Sequence, residues 1–267
     1  MLIDTHAHLD YPDYDPDRAS VIARATGAGV TEIISIGTRI ESSARAVELA
    51  HNFPNIWATV GIHPCEVDEA PDDAVEELRL LAHSPRVVAI GEIGLDYHRL
   101  PEDPDAAVEI KKKQAELFRA QLELTARLGL NAVIHQRDSW DDTLAILREF
   151  TGRVRGVFHC FGGTAEQARE VIALGHLVSF TGIVTFKNAR QVQATAQDVA
   201  PGAFMVETDC PYLAPAPDRG KRCEPAHTRR VADKIADLRG VTVEEIAART
   251  TQTAREFFRF QRGAPSA

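Results

Sequence analysis

The chain has 267 residues, 44% of them hydrophobic and 26% charged, and a formal net charge of −9. These values suit a globular protein with a sizeable core, and the acidic balance excludes nucleic-acid binding driven by bulk positive charge. The four cysteines, Cys65, Cys160, Cys210 and Cys223, form no CxxC pair and read as reduced thiols rather than a disulfide framework.

The N-terminus lacks the basic region and long apolar stretch of a secretory leader, and no run reaches the length of a membrane span. A cytoplasmic location without membrane association is therefore expected. Strand-like runs follow at 2–8, 32–37, 56–63, 87–95, 131–135, 155–160, 176–182 and 204–209. Amphipathic stretches separate them. The clearest spans 108–127, where Leu117, Leu122 and Leu124 recur near a 3.6 period. This alternation predicts parallel βα units and, at this length, an α/β fold of the closed (β/α)8 TIM-barrel type in a single domain over 1–262. The Pro-rich stretch 211–225 reads as a long loop after the last strand. Two closing helices are expected within 226–260 and a frayed tail at 263–267.

Six of the eight runs end on His, Glu or Asp: THAH, GIHP, GEIGLD, VIHQR, VFHCFGG and VETDCP. In a barrel the ends of the strands carry the reactive groups. Side chains two apart on a strand share a face, so His6 and His8 can converge on one point in the mouth. Glu92 lies deep in an apolar run, where a carboxylate needs a partner or a metal. His135, His159 and Asp209 end further strands, and Glu207 stands two residues before Asp209. Four histidines with two or three carboxylates predict a metal centre. The inventory is generous for one ion and suits two, with Glu92, which has two carboxylate oxygens, as the bridge. Mixed His and carboxylate ligands suit Mg, Mn, Zn or Co alike.

The series DTHAHLD, GIHP, GEIGLDYH, VIHQR, FHCFGG and ETDCPYLAP…RGKR resembles the TatD family of metal-dependent hydrolases and nucleases, in order over nearly the whole chain. The resemblance implies an amidohydrolase-type barrel, two divalent metal ions and deoxyribonuclease activity, a 3′–5′ exonuclease action on single-stranded DNA. His6, His8, Glu92 and Asp209 match the ligands of one metal, and Glu92, His135 and His159 those of the second. Asp209 alternatively matches the general base that takes a proton from water. His63 matches a histidine near the substrate phosphate. Arg219, Lys221 and Arg222 match a loop beside the mouth and are the expected substrate contacts. One departure stands out: Cys223 occupies a position where the family usually has Asn.

The expected chemistry is metal-assisted phosphodiester hydrolysis, with Asp209, Glu92 and His63 as catalytic residues and single-stranded DNA or another nucleic acid as substrate. No obligate protein partner is implied. The alternative is a dinuclear hydrolase of a carbonyl substrate: an amide, a lactone or an aminoacyl ester. A purely structural zinc site is disfavoured, because no Cys ligand set is present. The run Lys111–Lys113 reads as a solvated helix face.

Overall fold

The computed structural model describes residues 1–260, so the expected tail at 263–267 lies outside the described residues. Eight parallel strands, β1 (Leu2–Ala7), β2 (Val30–Ile36), β3 (Ile56–Val60), β4 (Val87–Asp96), β5 (Asn131–Arg137), β6 (Gly156–Phe158), β7 (Leu177–Phe180) and β8 (Phe204–Val206), pair in chain order. A bridge between Ala7 and Cys210 brings the end of β1 against the segment leaving β8. The sheet therefore curls into a nearly closed barrel.

Helices α1 (Arg18–Gly27), α2 (Ile40–Asn52), α3 (Ala74–Leu81), α4 (Pro104–Leu128), α5 (Trp140–Glu149), α6 (Ala165–Ala173) and α7 (Arg190–Asp198) each follow one strand, and α8 (Thr228–Arg239) and α9 (Val243–Phe258) follow β8. The last two are the closing pair expected within 226–260. The strands are buried on both faces, as the helical cover of a parallel sheet requires, and all ten residues of β4 are buried.

Helix α4 shows how local chemistry sets element ends. Asp103 caps it by accepting from the Ala106 amide at 2.8 Å, Pro104 occupies the first turn, and Gly129 ends it in the left-handed region. The 108–127 segment expected from periodicity lies inside this longer helix.

Most strands stop short of the runs read from sequence. The third ends at Val60, not at residue 63, and the eighth at Val206, not at 209. The reason is that the backbone leaves the ladder as it reaches the mouth, where other partners take over. Gln121 of α4 accepts from the Ile62 amide at 2.8 Å and donates to its carbonyl at 3.1 Å. Gln114, two turns earlier, holds Asp96 in the same way at 3.0 and 3.1 Å. Of the polar residues expected at strand ends, His6, Glu92 and His135 thus sit within β1, β4 and β5, and His8, His63, His159 and Asp209 on the loop entries just beyond β1, β3, β6 and β8.

Candidate metal centre

The mouth is built from the C-terminal halves of β1, β4 and β5 and from the first three residues that follow β1, β3, β6 and β8. The alternation of β1, carried one residue beyond its end, places His6 and His8 together, with ring centroids 5.1 Å apart. The segment after β8 is stitched to them: the Asp209 amide donates to the His6 carbonyl at 2.9 Å, and the His8 amide to the Cys210 carbonyl at 2.8 Å. Asp4 completes this seam, accepting from the Thr208 hydroxyl at 2.6 Å and the Thr208 amide at 3.0 Å. Asp209 itself takes a left-handed conformation at φ 60°, sparsely populated for a non-glycine residue and tolerated best by Asp and Asn. Its carboxylate thereby turns back towards His6 and His8, at 3.6 and 3.3 Å.

Glu92 occupies the centre. Its Oε2 lies 3.4 Å from His6 Nε2 and 3.9 Å from His8 Nε2. Its Oε1 lies 2.7 Å from both His135 Nδ1 and His159 Nε2. These two nitrogens are themselves 3.2 Å apart. At metal–nitrogen distances of about 2.1 Å, tetrahedral ligand atoms stand roughly 3.4 Å from one another. The spacings on both sides of Glu92 fall around that value. Gly94 permits the close approach of β4 to β5: at φ 148° it packs where a Cβ would run into the carbonyl oxygen of His135.

The electrostatics point the same way. Burial pushes the Glu92 carboxyl up, but the surrounding histidines, His159 first, and the hydrogen bonds from His135 and His159 outweigh it and hold it well below the usual range. Burial likewise pulls His159 down, yet Glu92 and Glu207 lift it well above an ordinary imidazole. Anionic carboxylates in the barrel mouth call for positive charge between them. Nε2 of His6, which faces Glu92 and Asp209, is buried without a hydrogen-bond partner. Buried polar atoms left unpaired are costly, and ligation relieves that cost. The ligand atoms of His6, His8 and Asp209 lie within 4.8 Å of one another, as do those of His63, Glu92 and His135. The side chains present therefore fit a divalent metal.

His63 stands apart from the other histidines. Its Nδ1 accepts from the Cys65 amide at 3.1 Å, so the neutral ring carries its proton on Nε2. That nitrogen points into the mouth, 3.6 Å from Glu92 Oε1. Burial pushes the ring down to about 3, which keeps it neutral at physiological pH. A neutral ring with Nε2–H is a hydrogen-bond donor towards the site and has no lone pair there for a metal.

Three supporting residues were not among the sequence expectations. Asp96 accepts from His135 Nε2 at 3.0 Å, which fixes the ring with Nδ1 towards Glu92. The signal was present: Asp96 is four residues after Glu92 and shares its face by the same alternation that pairs His6 with His8. Gln114 and Gln121, seven apart, are polar residues on the buried stripe of α4. Glu207, in sequence no more than a carboxylate two residues before Asp209, has a structural task. It accepts from Ser179 Oγ at 2.5 Å and the Cys160 amide at 2.7 Å, so it anchors the loop that follows His159.

The loop over 219–222 is placed differently from the cavity. Arg222 is paired with Asp17 at 2.8 Å and Glu224 at 3.0 Å, Lys221 with Asp218 at 2.7 Å, and Arg219 lies over the Phe186 ring at 4.1 Å. None of the three lines the cavity of about 1150 Å³ that opens above Glu92. Lys111, expected as part of a solvated face, does line it. Cys223 holds its loop through backbone: its amide donates to the Pro211 carbonyl at 2.9 Å, and its carbonyl accepts from the Tyr14 hydroxyl at 2.6 Å. All four thiols are free. Among the described residues no helix is long and apolar enough to cross a membrane.

Comparison with known proteins agrees with this architecture. The family profile of TatD-related DNases matches residues 3–259. The chain is 40% identical over 262 residues to the uncharacterized metal-dependent hydrolase YabD of Bacillus subtilis, covering 97% of this chain and 99% of that protein. It is 33% identical over 264 residues to a protein of Erwinia tasmaniensis named 3′-5′ ssDNA/RNA exonuclease TatD, covering 96% and 99%. The crystal structure of YjjV, a TatD homologue from Escherichia coli K12, superposes with a TM-score of 0.89 at 30% identity, covering 97% and 98%. The deacetylase of Mycobacterium smegmatis, with a TM-score of 0.58 at 12% identity, shares the fold alone. A barrel whose mouth gathers His6, His8, Glu92, His135, His159 and Asp209, and whose sequence matches this profile almost end to end, belongs to the TatD-related DNase family of metal-dependent hydrolases.

Proposed function

We propose that this chain hydrolyses phosphodiester bonds in single-stranded nucleic acid, with 3′–5′ exonuclease action on single-stranded DNA. The reading rests on one observation above all: the two oxygens of Glu92 face two different sets of ligand atoms. His6, His8 and Asp209 would hold one divalent cation, His135 and His159 a second, and Glu92 both. Bound there, the cations supply Lewis acidity for activating water and for neutralising charge on the phosphoryl oxygens. The relatives named ssDNA/RNA exonuclease support the choice of substrate.

The residues divide the remaining work. Asp209 is the most open carboxylate of the centre, with a side chain 15% exposed against 4% for Glu92. It would accept the proton of the attacking water. His63 donates through Nε2–H to a phosphate oxygen or to the departing sugar oxygen, and its neutral state makes it a donor of fixed direction. Glu92 stays ionised throughout.

The test is direct. The protein is stripped with chelator and incubated with a 5′-labelled single-stranded oligonucleotide, with Mg, Mn, Zn or Co restored singly. A metal-dependent ladder shortening from the 3′ end, absent in Glu92→Ala, is expected. Hydrolysis of esters or amides without any cleavage of the oligonucleotide would replace this reading with the carbonyl-hydrolase alternative.

A further inference from the structure

An acidic protein that acts on a polyanion needs positive charge near its site. The 219–222 loop does not bring it to the cavity, because Lys221 and Arg222 are neutralised by Asp218, Asp17 and Glu224. Three other cations line the cavity: Arg99, Lys111 and Arg137. Among the described residues none of them has a carboxylate partner; Lys111 rests on the Tyr97 ring at 4.4 Å. Of the acidic residues beside them, three are engaged elsewhere, and Asp141 also lines the cavity. Asp142 accepts from the Tyr97 hydroxyl at 2.8 Å, Asp138 meets His98 at 2.9 Å, and Glu66 meets Arg39 at 2.7 Å. Arg99 reaches the cavity from the segment that follows β4.

The opposite wall is aromatic. Tyr11 stacks on His8 with centroids 4.8 Å apart at 26°, and Tyr212 meets Tyr11 edge-on at 6.2 Å. Tyr212 is 53% exposed, an unusual state for a large ring beside a deep cavity. Tyr11 and Tyr212 leave β1 and β8, which adjoin. Arg99 follows β4, Lys111 lies on α4 and Arg137 ends β5; β4 and β5 stand half a turn round the eight-stranded ring.

We infer that the mouth is a two-walled track for a single nucleic-acid strand: Tyr212 and Tyr11 stack an unpaired base, while Arg99, Lys111 and Arg137 hold the phosphates that flank the scissile one. This rests on the nuclease reading above and adds the residues that recognise the polymer. Stacking on aromatic rings tolerates any base, and phosphate contacts carry no sequence information, so cleavage is expected to be sequence-tolerant. A duplex offers no free base to the aromatic wall and is expected to be a poor substrate.

The experiment compares an oligonucleotide with bis(p-nitrophenyl) phosphate, a small diester with no flanking phosphates, for wild type, R99Q/K111Q/R137Q, Y212A and K112Q. Lys112 is exposed and outside the cavity, so K112Q controls for loss of charge alone. The triple variant is expected to raise the oligonucleotide KM and to flatten the slope of log kcat/KM against log salt by about 2, at about 0.7 per phosphate contact. Y212A is expected to lower oligonucleotide kcat/KM roughly tenfold. The triple variant should hydrolyse the small diester as wild type does, which also shows that it is folded; the nitrophenyl rings can themselves meet Tyr212, so the folding of Y212A is checked by its thermal melt. An unchanged salt slope and KM in the triple variant, with oligonucleotide cleavage intact, would overturn the track while sparing the nuclease reading. A wild type that cleaves the small diester and never the oligonucleotide would overturn both.

Discussion

At the scale of single residues, the centre depends on side chains that touch no substrate. Asp96 holds His135 by its Nε2, and the Nδ1 that faces Glu92 is available for a metal only in that orientation. Asp96→Ala is expected to weaken metal binding roughly 10–100-fold, as loss of such a partner commonly does, with the fold retained. Titration of stripped protein by calorimetry checks this, and Asp96→Asn, which keeps an acceptor oxygen, should recover part of the loss. His63 makes the opposite prediction. It is a donor to substrate, so His63→Ala should leave metal content unchanged, measured by elemental analysis, while kcat falls by roughly 10²-fold or more. A parallel loss of metal would reassign His63 as a ligand.

At the scale of elements, two kinds of contact hold the barrel rim and floor. Gln121 of α4 replaces the missing ladder for Ile62, making two hydrogen bonds to one residue's backbone. Gln121→Ala leaves both groups buried and unpaired, and the cost should be about 2–3 kcal/mol in urea unfolding. At the other end of the barrel, His176 Nδ1 accepts from the Gly156 amide at 2.9 Å, which requires a ring without a proton on that nitrogen. Burial, reinforced by the nearby Arg155, pushes His176 down to about 4 from 6.5. The unfolded chain therefore binds more protons than the folded one between those values. The contribution is complete above pH 6.5 and is lost as pH falls towards 4, about 2 kcal/mol between pH 8 and pH 5. Unfolding curves at the two pH values should show the difference in wild type, and His176→Asn, whose amide oxygen can accept from Gly156, should flatten it.

At the scale of the whole molecule, the centre is a seam between distant parts of the chain. His6 and His8 come from the first strand, Asp209 from beyond the last, and Glu92 from halfway round. An ion bound among them ties together elements that only the folded barrel assembles, so it binds the native state and not the unfolded chain. Restoring the working metal to stripped protein at 100 times its Kd should stabilise the fold by about 2.7 kcal/mol. A rise in Tm on adding metal, absent in Glu92→Ala, checks this in a thermal melt. A wild-type Tm indifferent to metal would mean that ions do not bridge the seam.

The order of the strands, their alternation with helices and the identity of the six residues that gather at the mouth were all legible in the linear chain. Each rests on a local rule: hydrophobic periodicity marks the elements, and a polar residue that ends an apolar run marks a strand mouth. Asp96 was legible by the same alternation. What could not be read from the chain is which charges are free. Arg219, Lys221 and Arg222 form a conspicuous basic run in sequence, yet folding sets Asp17, Asp218 and Glu224 against two of them and Phe186 beneath the third. Lys111 looks like any helix lysine until α4 packs and brings it to the cavity. The difference is physical. A side chain's face on a strand or helix is set by neighbours a few residues away, whereas its ion pairs are set by groups as far as 205 positions along the chain, which only the closed barrel brings within reach.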